Sequence, residues 1–144
     1  MKIHTTLTAV VIGASLLATL PVAARAQEPV FAETVAATTY ANGGVGAGEE
    51  ATMRRMAKEF PLRMTFSEHK DGAFLADVPV VIADARGNPV FDLPNAGPML
   101  YVMLPNGKYK VSARYKGLTE SHEITLDSKD GKDLYFHWKG ITSR

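Results

Sequence analysis

Three kinds of side chain in this sequence could do chemistry. They are the imidazoles of His69, His122 and His137, the thioethers of Met53, Met56, Met64, Met99 and Met103, and a scatter of carboxylates. No two of these imidazoles stand at i, i+4 on a helix or i, i+2 on a strand, spacings that would aim two ring nitrogens at one ion. A metal or acid–base site would have to be assembled through space. The expectation is three separate, half-exposed histidines, one at a turn and two on strands. Soft thioethers can hold Cu(I), and Met53 and Met56 are three apart on one helical face, with Met99 and Met103 close together. Methionine also fills irregular gaps in a core, and packing is the expected role. The run Gly43-Gly44-Val45-Gly46-Ala47-Gly48 precedes a helical segment, as phosphate loops do. No strand is expected before it, no Lys-Ser/Thr pair follows, and Glu49 and Glu50 would repel a phosphate there. No serine sits in a glycine-flanked nucleophile turn. With no cysteine in the chain, thiol catalysis, thiolate metal sites and disulfides are excluded. The reading is of no catalytic residue, no cofactor and no metal site.

The elements that must position these groups are mostly strands. Tyr109, Val111, Ala113 and Tyr115 alternate with Lys108, Lys110, Ser112, Arg114 and Lys116, one face apolar and the other polar. Similar alternation recurs through residues 62–138: Leu62, Met64 and Phe66; Val78, Val80 and Ile82; His122, Ile124 and Leu126; Leu134, Phe136 and Trp138. Turn signals at Arg86-Gly87-Asn88-Pro89, Pro105-Asn106-Gly107 and Ser128-Lys129-Asp130-Gly131 separate them, and Asn106-Gly107 predicts a tight hairpin. The spacing predicts a mainly β fold: an antiparallel seven-stranded β-sandwich with one N-terminal helix, a barrel being the main competitor. The helix is expected over 49–60, with Glu49 and Glu50 in its first turn, Lys58 near its end and Pro61 stopping it. Residues 27–48 read as a flexible Ala/Thr/Gly-rich arm and 61–140 as the sandwich domain.

Residues 99–104 break the beat by being apolar on both faces. Leu100, Val102 and Leu104 would face the interior, leaving Met99, Tyr101 and Met103 in need of a cover. The helix face of Met53, Met56, Ala57 and Phe60 has the composition to supply it. These two sets form a candidate partner or helix-docking surface. Tyr135 and His137 are a candidate aromatic contact surface, with Tyr101, Tyr115 and Trp138 as further aromatic candidates.

The first residues read as a leader. Lys2 precedes an apolar run over 7–20, Pro21 ends it, and Ala24-Arg25-Ala26 offers a cleavage site after Ala26. The run is shorter than the roughly 20 residues that span a bilayer. The expected product is periplasmic or secreted, with no transmembrane segment after cleavage. The whole chain carries 16 basic and 15 acidic residues. Losing Lys2 and Arg25 makes it slightly acidic, so no basic excess suits it to nucleic acid or an anionic membrane.

Residues 77–116 resemble a known pattern. An inward strand with Val78, Val80 and Ile82 precedes a turn at Gly87 and a short strand. Leu104-Pro105-Asn106-Gly107-Lys108-Tyr109-Lys110-Val111 then fits Leu-Pro-x-Gly-x-Tyr-x-Val. In these residues the chain is similar to the carboxypeptidase regulatory-like domains, whose sandwich is also described as transthyretin-like or prealbumin-like. That resemblance implies a Greek-key sandwich acting as a non-catalytic binding or stabilising module. The transthyretin-like fold also hosts 5-hydroxyisourate hydrolase, which ends in Tyr-Arg-Gly-Ser. This chain ends Ile141-Thr142-Ser143-Arg144, so that activity is not implied. The resulting expectation is a non-enzymatic exported binding or accessory module of the bacterial envelope, its partner an envelope protein or a glycan. The alternatives are a chaperone-like or inhibitory protein offering an exposed sheet edge, and a small copper-binding protein or hydrolase.

Overall fold

A computed structural model describes residues 32–35, 38–70, 72–127 and 129–139, the first of these as backbone alone. The expected leader and cleavage site at 1–26 lie outside the described residues. Two sheets face each other across an apolar core. One is five-stranded, in the order β1 (Ala32–Val35), β2 (Thr38–Gly43), β6 (Met99–Val102), β3 (Leu62–Ser67), β9 (Lys132–His137). The other is four-stranded, in the order β5 (Pro89–Ala96), β4 (Val78–Asp84), β7 (Gly107–Tyr115), β8 (Leu118–Leu126). The fold is therefore mainly β, with two sheets and one α-helix among the described residues. No helix among them is long and apolar enough to cross a membrane.

The alternation seen in the sequence becomes burial. Leu62, Met64, Phe66, Val80, Ile82, Val111, Leu134 and Phe136 fill one core, and their polar neighbours face out. Phe66 packs on Phe136 at 5.4 Å and on Trp138 at 6.4 Å between ring centroids. Burying an apolar side chain of this size contributes about 2 kcal/mol, and no disulfide adds to it.

Several expectations need correction. The sheets hold five and four strands, where seven in all were expected, because part of the supposed arm is sheet. β2 pairs antiparallel with β6, Tyr40 opposite Val102 and Gly43 opposite Met99. Its composition hid it. Tyr40 points inward, edge-on to Phe91 at 5.2 Å, while Ala41 is small because the helix lies above it. Asn42 locks the strand in place: its side-chain amide donates to the Asn95 carbonyl, and its Oδ1 accepts from the Gly97 N–H at 2.6 Å. Gly97 must be glycine, since a Cβ there would lie 2.9 Å from the Gly43 carbonyl oxygen.

The helix α1 spans Gly46–Met56 and continues as a 3-10 turn at Ala57–Glu59, starting three residues before its expected first residue at 49. A strand therefore does precede the glycine cluster. The helix start is nonetheless occupied, because the Val45 N–H donates to the Glu49 carboxylate at 3.0 Å.

The pairing is not wholly antiparallel. β3 and β9 run parallel, with Leu62 opposite Lys132 and Ser67 opposite His137. Nor does Asn106-Gly107 close a hairpin. It carries the chain from β6 in one sheet to β7 in the other, and the Tyr109 hydroxyl pins this crossover by donating to the Pro105 carbonyl at 2.7 Å. The tight hairpin lies instead at Lys116-Gly117, where φ is +47° and +79°, between β7 and β8.

Candidate functional site

The outer face of the five-stranded sheet is divided. The helix covers the half over β2 and β6, and the half over β3 and β9 stays open. Under the helix, Met53, Phe60, Met99, Tyr101 and Ala41 form a second buried cluster, with Met56 and Ala57 at its margin. Met103 lies one residue beyond β6 and is 43% exposed, outside this cluster. Met64 belongs to the main core. Three methionines, Met53, Met56 and Met99, thus meet under the helix, while Met64 lies in the main core and Met103 at the surface.

β3 lies at the centre of the open half. Alternation turns Arg63, Thr65 and Ser67 outward. The parallel register sets Asp133, Tyr135 and His137 opposite them on one side, and β6 sets Tyr101 and Met99 opposite Arg63 and Thr65 on the other. Together with Arg54, Ala57, Lys70, Gly72 and Phe74 they line a groove of about 360 Å³.

Arg63 ties the groove to the helix. Its guanidinium donates to both Asp133 carboxylate oxygens, at 2.6 and 3.0 Å, and to the carbonyls of Ala57 and Phe60, at the start of the 3-10 turn and just after it. The bidentate contact with Arg63 holds the Asp133 carboxyl below its ordinary pKa.

Ser67 and His137 lie 2.7 Å apart, Oγ to Nδ1. That contact resembles a nucleophile and its base, but the proton count says otherwise. The Ser67 hydroxyl is 2.6 Å from the His69 carbonyl, which can only accept. Its single proton is spent there, so His137 Nδ1–H donates to Ser67. The pair fixes the imidazole tautomer and leaves Nε2 without a partner among the described residues. The His137 ring stacks beside Tyr135 at 6.3 Å with 15° between planes, and Tyr135 is 58% exposed. The two rings stand nearly parallel, Tyr135 exposed and His137 half-buried.

The Tyr101 ring leans on Phe60 at 6.0 Å and is 5% exposed. Burial pushes its phenol pKa up. No described residue hydrogen-bonds its hydroxyl. Since no side-chain polar atom among the described residues is both sealed from solvent and unpaired, that oxygen keeps contact with the groove. The Thr65 hydroxyl is likewise without a partner among the described residues.

A larger hollow of about 510 Å³ lies at one end of the sandwich, lined by Asp84, Gly87, Tyr109, Lys110 and Glu123 among others. Its best-placed polar groups serve the turns: the Asp84 carboxylate accepts the Arg86 and Asn88 N–H groups, and the Tyr109 hydroxyl serves Pro105.

The chain matches no protein-family model, and a search of curated proteins returns no significant match. The site therefore stands on its own geometry. That geometry joins Met99 from the docking set to Tyr135 and His137 from the aromatic set, with Tyr101, a candidate for both, lining the same groove. Tyr115 and Trp138 are tied to the core instead, 5.7 Å apart. Arg63, Thr65, Ser67, Lys70 and Asp133 were not singled out. The signal was present in the polar positions of β3, but only the parallel partner strand shows what they meet. Among the described residues no group of three or more acidic, histidine or cysteine side chains is placed to hold a metal ion.

Proposed function

We propose that this protein is an exported, non-enzymatic binding or accessory module of the bacterial envelope, released by cleavage after Ala26, and that the groove over β3 and β9 receives its ligand. The observation that carries this reading is the Tyr135–His137 surface. Two nearly parallel rings, Tyr135 exposed and His137 half-buried, stand on the half of the sheet face that the helix leaves uncovered, and unpaired hydroxyls from Tyr101 and Thr65 line the same groove. The commitment of the Ser67 proton to the His69 carbonyl supports binding over hydrolysis. A transthyretin-like Greek-key arrangement belongs to the same proposal. It is supported by the two-sheet layering and by residues 77–116, which supply β4, β5, β6 and β7.

The edge-strand alternative has less support. Two edges are partly engaged: at the end of β9 the His137 N–H donates to Glu120 at 3.3 Å, and at the start of β8 the Leu118 carbonyl accepts the Trp138 indole N–H at 3.0 Å.

The test compares the protein with a Tyr135→Ala/His137→Ala variant of matched thermal stability, on immobilised glycans and in envelope extract. A ligand bound by the first and lost by the second is the expected outcome. Ligands retained equally by both would overturn the groove reading. Mass spectrometry of the envelope form should show Gln27 as the first residue, and a chain still carrying residues 1–26 would overturn cleavage.

A further inference from the structure

We infer that the groove binds an acidic saccharide, one uronic-type ring lying on Tyr135 and His137 with its carboxylate toward Lys70; this rests on the groove being the binding surface and adds the class of ligand. Three observations converge on it.

The first is the aromatic pair of Tyr135 and His137, whose exposed member, Tyr135, offers a ring face to the groove. The electron-rich face of an aromatic ring attracts the positively polarised C–H groups on a pyranose face. The second is the unused hydrogen-bonding set around that surface. Tyr101 is 5% exposed yet its hydroxyl has no described partner, and Thr65 Oγ1 and His137 Nε2 are also free among the described residues. An apolar ligand would strand these groups, and each stranded buried polar group has a cost. A polyol satisfies both donors and acceptors.

The third is charge. Arg54, Arg63 and Lys70 line the groove against the single carboxylate of Asp133. Arg54 is held by Glu50 and Arg63 by Asp133, while Lys70 has no carboxylate partner among the described residues. Aromatic faces would otherwise attract a cation, but these side chains repel one and favour an anion. A peptide is less suited than a sugar. β3 is flanked on both sides, by β6 and β9, so its own main chain is not free for strand addition. The volume of about 360 Å³ lies at the small end of ligand sites, as a ring or two would require.

Calorimetry and ¹H–¹⁵N spectra of the protein with an α-1,4-linked galacturonic acid trimer, and with the same trimer as methyl esters, test the inference. The acid should shift amides in 63–67 and 133–137. The ester should bind about fivefold more weakly, and Tyr135→Ala should weaken the acid about as much. Equal affinity for acid and ester would overturn the acidic class while leaving the groove as a binding surface. An acid trimer that fails to bind, or binds without moving those amides, would overturn the inference. Groove shifts from tri-aspartate with the trimer silent would replace the saccharide by a peptide, again without touching the groove reading.

Discussion

Asp133 and Arg63 show how far one contact can be read. The Asp133 carboxyl is held below its ordinary value chiefly by hydrogen bonds from Arg63. Its contribution to stability is complete above the unfolded value of about 3.9 and fades as pH falls through the lower folded one. Because Asp133 is half exposed, Asp133→Asn should cost only about 0.5–1 kcal/mol at pH 7. That difference should shrink as pH drops below about 4, as urea unfolding at the two pH values would show. Tyr101→Phe makes the opposite point. Its hydroxyl stabilises nothing among the described residues, so unfolding free energy should change by less than about 0.5 kcal/mol. Binding to the groove should weaken all the same, a separation that marks the hydroxyl as reserved for a ligand. Neither behaviour was legible in the sequence. Arg63 and Asp133 are 70 positions apart, and no local pattern says that they meet.

Among the elements, the strands of large alternating side chains were legible because burial there is set by period two, which the sequence displays directly. β2 was not legible, because both its neighbours demand small residues: the helix above Ala41 and the β5–β6 turn against Gly43. Small residues forming a tight seam have the same composition as a linker. The helix was legible from its charged first turn and from Pro61, and its apolar face has a measurable consequence. Phe60 is buried against Tyr101, so Phe60→Ala should destabilise by about 3 kcal/mol. The loss should appear as a lower unfolding midpoint, with local exchange protection falling first in 46–60. A midpoint unchanged by Phe60→Ala would show that the helix contributes little to holding the sheet.

At the scale of the whole molecule, the sequence conveyed the layering but not the order of strands, which depends on contacts between distant segments. The parallel pairing of β3 with β9 is the clearest case, and truncating the chain before Lys132 should remove it. Such a chain should expose the Leu62–Ser67 edge, lose Phe136 and Trp138 from the core, and give soluble aggregates on size-exclusion chromatography. A monomeric, cooperatively unfolding truncation would contradict this. The same pairing also has a consequence for biogenesis. A parallel partner cannot be recruited by a local hairpin, so β3 waits, edge open, until β9 has been synthesised. A ribosome-bound or translocating chain that stops short of Lys132 has no Asp133, Tyr135 or His137 to set beside Arg63, Thr65 and Ser67. The groove thus comes into being only once β9 has been made, and ligand capture would report that synthesis had passed His137.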